Sequence, residues 1–485
     1  MKAIGSIAVV MLLCGMAPAQ KLEVKSATAS KVELAWTGTA SQWIVERKSG
    51  AAFEKVSEST STSYQDTSIA PFGTYTYRVR SGSAATPSNE VIVGPPPMGL
   101  LKPAPAPKGD NRDSDDYGRK TALALDENGD AAFAFLWRDP NANNQPEESQ
   151  VMFVRWNRAQ YKWDEPRKLA VTGATNVDQG EPLSLAFQPG TGIAGLVYPV
   201  KDQEGFTFAL SKDGGNTWQM TPYSNGLGGP VDSSVLSFVK DHFYLAVNAY
   251  QDGPALIDGD IGSDAGTWRV RKPPVLGREH HNQAPAGLAV DAQGLPYMAY
   301  FDTPAEGSDS YLFNVWQPDS GKAVTAANTH DDRPDSPILK LADGGGRFAL
   351  LMTMHADDKD DQAGVWATTS TDGTTWTPAV KIPHDKSRSS GDTMSIAVDT
   401  KGAIFAVFST PSGSEDGVCG NADFATSTDG VTWTHCGVGK FASDAFTPDS
   451  ASRSVVTAPD DSIYYLWNES RSTKYGPGLV IWHRR

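Results

Sequence analysis

Ser211-Lys212-Asp213-Gly214-Gly215-Asn216-Thr217-Trp218 spells out a hairpin turn in its side chains. The Asp carboxylate can accept backbone N–H groups across the loop, glycine supplies a left-handed φ, and the tryptophan can pack against a neighbouring layer. Ser370-Thr371-Asp372-Gly373-Thr374-Thr375-Trp376 and Ser427-Thr428-Asp429-Gly430-Val431-Thr432-Trp433 repeat the pattern one residue shorter. Ser263-Asp264-Ala265-Gly266-Thr267-Trp268 reads as a degenerate fourth copy. Copies in register mark a repeated structural unit.

Working outward, each copy sits in a longer repeat that begins about residue 117. A buried β run, a Gly or Asp turn and a second apolar run recur. First runs include Ala122-Leu123-Ala124-Leu125-Asp126, Gly287-Leu288-Ala289-Val290-Asp291, Ile338-Leu339-Lys340-Leu341-Ala342-Asp343 and Ser395-Ile396-Ala397-Val398-Asp399. Seven such units recur at roughly 50–60 residues, and none can bury its own faces, so they must stack radially. Period-2 alternation excludes a helical solenoid, and a β-helix needs a shorter repeat. The expected fold is all-β: a propeller over residues 117–485, with seven blades and six as the alternative. The last unit supplies only three strands. A fourth is expected from about Met98 to Pro107, where prolines suit an edge strand.

Residues 21–94 alternate like a small sandwich. Val32-Glu33-Leu34-Ala35-Trp36, Trp43-Ile44-Val45-Glu46-Arg47 and Tyr75-Thr76-Tyr77-Arg78-Val79-Arg80 each alternate apolar and polar side chains. Trp36 and Gly73-Thr74-Tyr75-Thr76-Tyr77-Arg78-Val79 resemble the strand-B tryptophan and tyrosine corner of a fibronectin type III domain, with Tyr75 as the corner residue. Such an immunoglobulin-like module implies a spacer or a weak interaction surface. Pro95-Pro96-Pro97 opens a stiff linker over residues 95–116.

The three turns fall between the third and fourth strands of their units. There they resemble the Asp boxes, or BNR repeats, of the sialidase superfamily. The resemblance implies that Asp213, Asp372 and Asp429, with Trp218, Trp376 and Trp433, are structural, on the face opposite the ligand site.

The chain carries 42 Lys+Arg against 57 Asp+Glu, a formal net charge of -15. That disfavours nucleic acid and anionic membrane, which need a basic footprint. Lys2, the apolar run Ile7 to Leu13 and Ala17-Pro18-Ala19 form a signal peptide over residues 1–19. The expected location is secreted, cell-surface or periplasmic. Cys14 follows Leu12-Leu13 and lacks the small residue that a lipoprotein signal places before its cysteine. No later stretch approaches a membrane span. Cys419 and Cys436 remain after export and are most simply a disulfide, two buried thiols being the alternative.

In a propeller the ligand face gathers the loops leading into each first strand and those joining second strands to third. Here these loops are rich in ionisable residues. The sialidase resemblance implies an arginine clamp for a carboxylate, an Asp acid/base and a Tyr nucleophile paired with Glu. Tyr117-Gly118-Arg119 offers the first arginine, with Arg333 and Arg453 in similar positions of later units. Asp139 stands for the acid/base, and Tyr475 with Glu469 for the nucleophile pair. The Ile-Pro of the family's first arginine motif is absent and Gly118 intervenes, so the resemblance fits the fold better than the activity. Arg138, His280, His281 and Asp332 are further candidate ligand contacts. The His pair, beside a tyrosine, can also abstract a proton α to a uronate carboxyl, or simply form a hydrogen-bonded loop. His355-Ala356-Asp357-Asp358-Lys359-Asp360-Asp361 has oxygen ligands for Ca²⁺ but lacks the Gly and terminal Glu of an EF-hand loop, so no metal or other cofactor is expected. The expected function is a monomeric, glycan-active or glycan-binding propeller acting on an extracellular glycan or polysaccharide. The active version is a glycoside hydrolase such as an exo-sialidase, or a polysaccharide lyase. The alternative is a non-catalytic scaffold that binds a cell-surface protein.

Overall fold

The computed structural model describes residues 20–70, 72–82, 86–97, 99–101, 119–138, 149–169, 183–199, 204–229, 231–249, 252–275, 287–302, 311–328, 338–354, 364–383, 394–409, 422–435, 446–447, 455–469 and 478–483. The chain divides into two compact units, Met1–Pro95 with Arg158–Tyr161, and Pro96–Asn157 with Lys162–Arg485. Among the described residues it is all-β, and its one helical element is the short 3-10 turn Ala265–Thr267.

The first unit is a sandwich of two antiparallel sheets. Leu22–Ala27, Val32–Trp36 and Ser63–Asp66 form one; Glu54–Ser59, Trp43–Lys48, Tyr75–Ser81 and Val91–Val93 form the other. Alternation decides what each strand buries: Val32, Leu34 and Trp36 face inward, as do Tyr75, Tyr77 and Val79. Trp36 and Trp43 meet edge to face at 6.0 Å in this core. Tyr75 Oη accepts the Ala70 N–H at 2.7 Å, fixing the corner where its strand begins. Asp66 is fully buried and accepts Tyr77 Oη–H at 2.7 Å and an Arg47 N–H at 2.8 Å. A carboxylate in such a core is tolerable only with donors of this kind.

The second unit contains seven antiparallel sheets among its described residues. Six follow chain order, each strand pairing with the next, save that Arg167–Lys168 of the first sheet pairs back with Ser149–Asn157. Their first strands are Arg119–Leu125, Ser184–Phe187, Val231–Val239, Gly287–Val290, Leu339–Gly344 and Met394–Val398. The seventh sheet has Val455–Thr457 in this place, followed by Ser462–Glu469 and Gly478–His483, and its outer edge is Gly99–Leu101. Consecutive first strands are neighbours, and Val455–Thr457 neighbours Arg119–Leu125, so the series closes on itself.

Apolar residues fill the space between each sheet and the next. Ala122, Ala134 and Phe153 of sheet one cluster with Leu185 and Leu196 of sheet two. Phe208 and Val197 of sheet two cluster with Leu236 and Phe243 of sheet three. The pattern continues through sheets four, five, six and seven. First strands have one edge without a strand partner, and side chains serve part of it. Ser184 Oγ accepts the Leu236 N–H at 2.7 Å, Ser395 Oγ the Val455 N–H at 3.2 Å, and Asp343 Oδ1 the Val290 N–H at 3.1 Å, each across to a neighbouring sheet.

Each of the three Asp turns joins the third strand of its sheet to the fourth. Asp213 accepts the Thr217 N–H at 2.8 Å, the Thr217 hydroxyl at 2.7 Å and the Ser211 hydroxyl at 2.9 Å. Asp372 and Asp429 repeat these bonds to Thr374 and Thr375, and to Val431 and Thr432. The tryptophans reach the preceding sheet: Trp218 meets Phe153 at 5.3 Å, and Trp376 and Trp433 join the clusters between sheets four and five and between five and six. The degenerate copy differs. Asp264 stands one place early, accepts only the Gly266 N–H among these bonds and caps the 3-10 turn. Trp268 nevertheless stacks on Tyr223 at 5.0 Å.

Gly373 shows why the turn demands glycine twice over. Its φ is +69°, and a Cβ there would lie 2.3 Å from Tyr297 Cε1 of the preceding sheet. Gly190, at φ +73°, has nothing within 4 Å. Gly373→Ala should therefore cost about 2–4 kcal/mol, left-handed strain plus overpacking, and Gly190→Ala only about 1–2 kcal/mol. Urea denaturation of both variants checks the difference; equal losses would show that the contact with Tyr297 contributes nothing.

Candidate functional site

Antiparallel pairing sorts the connections onto two edges of the second unit. First-to-second and third-to-fourth turns share one edge. The starts of first strands and the second-to-third connections share the other.

Arg119 is the first residue of Arg119–Leu125 and pairs with Leu136; Arg138 ends Ala131–Arg138 and pairs with Ser149. Glu469 ends Ser462–Glu469 opposite Phe446. That strand neighbours Arg119–Leu125. The backbone thus brings Arg119, Arg138 and Glu469 to one edge of two adjacent sheets, away from the Asp turns. Asp139, Arg333, Arg453, Tyr475, His280, His281 and Asp332 lie outside the described residues, as do Cys419, Cys436 and the acidic loop 355–361. Among the described residues no cluster of His, Cys, Asp or Glu could hold a metal.

Behind this edge the sheets are ordered by buried polar groups. Tyr300 donates its hydroxyl to the Pro274 carbonyl at 2.7 Å, and burial, then the Asp302 charge, push its hydroxyl well above the usual tyrosine range. Asp302, at the end of its strand, is itself buried, as is Tyr311 across the connection. Thr353 Oγ1 accepts the Ile338 N–H at 2.9 Å and pins the start of the fifth sheet. A cavity of about 230 Å³ lies along the first strands of sheets three to seven, lined by Ser237, Leu288, Lys340, Ile396 and Thr457 among others. Sequence reasoning missed Lys340, which is only 3% exposed. The available signal was a lysine in the middle of the apolar run Ile338-Leu339-Lys340-Leu341.

The opposite edge is rich in carboxylates already committed to turns. Burial pushes Asp213 up, but the Thr217 N–H and hydroxyl and the Ser211 hydroxyl prevail and hold it at about 2. A second turn, also missed, uses the same device. Asp126, Asp291 and Asp399 close their first-to-second turns by accepting two N–H groups each: Asn128 and Asp130, Gln293 and Leu295, Lys401 and Ala403. A cavity of about 410 Å³ on this edge, between sheets four and five, is lined by Asp291, Tyr297, Asp343, Arg347 and Asp372. Arg347 is spent on the carbonyls of Gly402 and Thr428, both at 2.7 Å.

No family model matches the sequence, and no curated protein matches it. Among solved structures, the chain is similar to an α-L-arabinofuranosidase variant of Fusarium graminearum with an iminosugar inhibitor. There the identity is 11% and the TM-score 0.48, over 80% of this chain and 98% of that one. It is similar to a NanB sialidase variant of Streptococcus pneumoniae at 11% identity and TM-score 0.43, over 96% and 94%. It is also similar to YCF48 bound to D1 peptide, at 14% identity and TM-score 0.42, over 79% and 100%.

Asp126 yields a pH test. Burial, then the Asp130 and Glu127 charges, push its carboxyl up to about 7 against the N–H groups of Asp130 and Asn128. A folded-state pKa above the unfolded value of about 3.9 gives a contribution that is full below that value and lost as pH rises through about 7. Asp126→Asn keeps an acceptor oxygen and removes the charge. Its Tm relative to wild type should rise between pH 5 and pH 8; a pH-independent difference would refute the shift.

Proposed function

We propose that the second unit is a seven-bladed, sialidase-like β-propeller and the first a fibronectin type III-like module. We further propose that the protein, exported through residues 1–19, binds or cleaves an extracellular glycan at the edge opposite its Asp boxes. The closed series of seven sheets supports the blade count, and the Tyr75 corner and two-sheet sandwich support the module. The functional reading rests on one observation: Arg119, Arg138 and Glu469 stand on strand ends of two adjacent sheets at one edge. Guanidinium groups bind carboxylates with two parallel hydrogen bonds, and a glutamate can act as the base that takes the proton of a tyrosine nucleophile. Loops from neighbouring blades enter the same edge, so Asp139, Tyr475, Arg333 and Arg453 belong to this site in the proposal.

The test is a panel of sialosides, neutral glycosides and uronate polymers, scored for both binding and product release. Glu469→Gln should lower turnover by about 10²–10⁴-fold, the range of a lost general acid or base, with Tm unchanged. Arg119→Ala should weaken retention of acidic glycans. Retention without product marks a binding protein; no retention of any glycan, or full activity in both variants, overturns the proposal. The proposed Cys419–Cys436 disulfide predicts that these two peptides remain joined in a non-reducing digest and separate on reduction.

A further inference from the structure

The chain contains two Asn-Gly pairs, Asn128-Gly129 and Asn225-Gly226. Asparagine is a thermolabile residue, because the backbone nitrogen that follows it can attack its side-chain amide. Glycine obstructs that attack least, having no Cβ. Whether a pair reacts depends on whether the nitrogen and the side chain are free.

Folding ties down the first pair. The Gly129 N–H donates to the Asp126 carbonyl at 2.9 Å, and the Asn128 N–H to the Asp126 carboxylate at 2.8 Å. The Asp-Gly pairs of the three Asp turns, open to the same attack, are tied likewise. The Gly214 N–H donates to the Gly192 carbonyl at 2.7 Å, the Gly373 N–H to Ser370 Oγ at 2.9 Å and the Gly430 N–H to Ser427 Oγ at 2.8 Å.

The second pair differs. Ser224, Asn225 and Gly226 are exposed, in the connection from Gln219–Tyr223 to Val231–Val239. The Leu227 N–H closes the turn onto the Ser224 carbonyl at 3.2 Å, and Gly226 takes φ +74°, as the third residue of a type II turn does. That bond passes over Gly226. Among the described residues neither its N–H nor the Asn225 side chain has a hydrogen-bond partner. A Cβ at Gly226 would meet nothing closer than Val270 Cγ2 at 3.6 Å, so the turn has room to move.

We propose that Asn225 is a site of spontaneous modification, deamidation through a cyclic imide, independent of the glycan reading. Gly226 N attacks Asn225 Cγ: the N–Cγ bond forms, the Cγ–Nδ2 bond breaks, and the Gly226 proton leaves with the amide as ammonia. Water then opens the imide at either carbonyl, leaving an aspartyl or an isoaspartyl residue at position 225. Both carry a new negative charge, and the isoaspartyl form adds a methylene to the main chain. Close by, Leu227 is 4% exposed in the core between sheets two and three, and the Gly229 carbonyl accepts the Gly205 N–H at 2.8 Å. A longer main chain disturbs both.

In the test, the folded full chain is incubated at mildly alkaline pH, digested, and followed by mass spectrometry and by labelling with an isoaspartyl methyltransferase. Conversion at Asn225 should run about tenfold or more faster than at Asn128, the factor that one hydrogen bond on the attacking nitrogen is worth. Tm of the incubated wild type should fall in step with conversion. Tm of Asn225→Gln, whose longer side chain closes the ring far more slowly, should hold. No conversion at Asn225, or conversion no faster than at Asn128, overturns the proposal. Conversion with an unchanged Tm keeps the site and overturns its link to Leu227.

Discussion

Each sheet of the second unit is apolar on both faces and cannot cover either by itself; everything else in that unit follows from this constraint. Phe153 of sheet one can leave water only against sheet two, and Phe243 of sheet three only against Phe208 of sheet two. Burying aromatic and branched side chains is worth about 1.5–3 kcal/mol each, so an unpartnered sheet would forfeit the main source of stability. A linear stack would leave two terminal faces bare. Closing the series through Val455–Thr457 and Arg119–Leu125 removes both. The cost is a ring of first strands whose inner edges have no strand to pair with, and Ser184, Ser395 and Asp343 accept N–H groups across that edge.

Closure also divides labour between the two edges. On one, Asp213, Asp372 and Asp429 each accept three or more hydrogen bonds, and Asp126, Asp291 and Asp399 two each from the backbone. In Asp213, Asp372 and Asp429 these bonds hold the carboxyl well below the usual carboxylate range and leave it little proton affinity for catalysis. These residues instead fix the turns from which the tryptophans reach the preceding sheet. The other edge lies at the ends of strands already held in their sheets, so ionisable residues such as Arg119, Arg138 and Glu469 can stand there without disturbing the ring.

What could be read from the sequence tracks the range of the interaction involved. The Asp turns were legible because the bonds made by their Ser and Asp side chains lie within eight consecutive residues such as Ser211 to Trp218. Strand alternation was legible for the same reason, as in Val32–Trp36. The requirement for glycine at position 373 was only half legible. Its φ belongs to the turn, but the approach to Tyr297 belongs to another sheet. The turns at Asp126, Asp291 and Asp399 were missed because Asp-x-x-Gly is too short and too common a pattern to stand out. Of the candidate site, Arg119, Arg138 and Glu469 were chosen from a model of loop order, and the backbone sets all three at one edge. Their shared location depends on ring closure between residues hundreds of positions apart, which no local pattern encodes.

Lys340 shows the limit most sharply. In the sequence it is one polar residue in a strand, the commonest of interruptions, and alternation alone would point it to solvent. In a closed ring there is no solvent face at that level, because both faces of each first strand meet neighbouring sheets and the inner edge meets the cavity. The same topology that buries Leu341 on one side buries Lys340 on the other. A polar residue in the ring's innermost strand therefore carries a different meaning from one in an outer strand. In the outer strand it faces water and needs no further account, whereas in the inner strand its polar end finds its partner inside the ring.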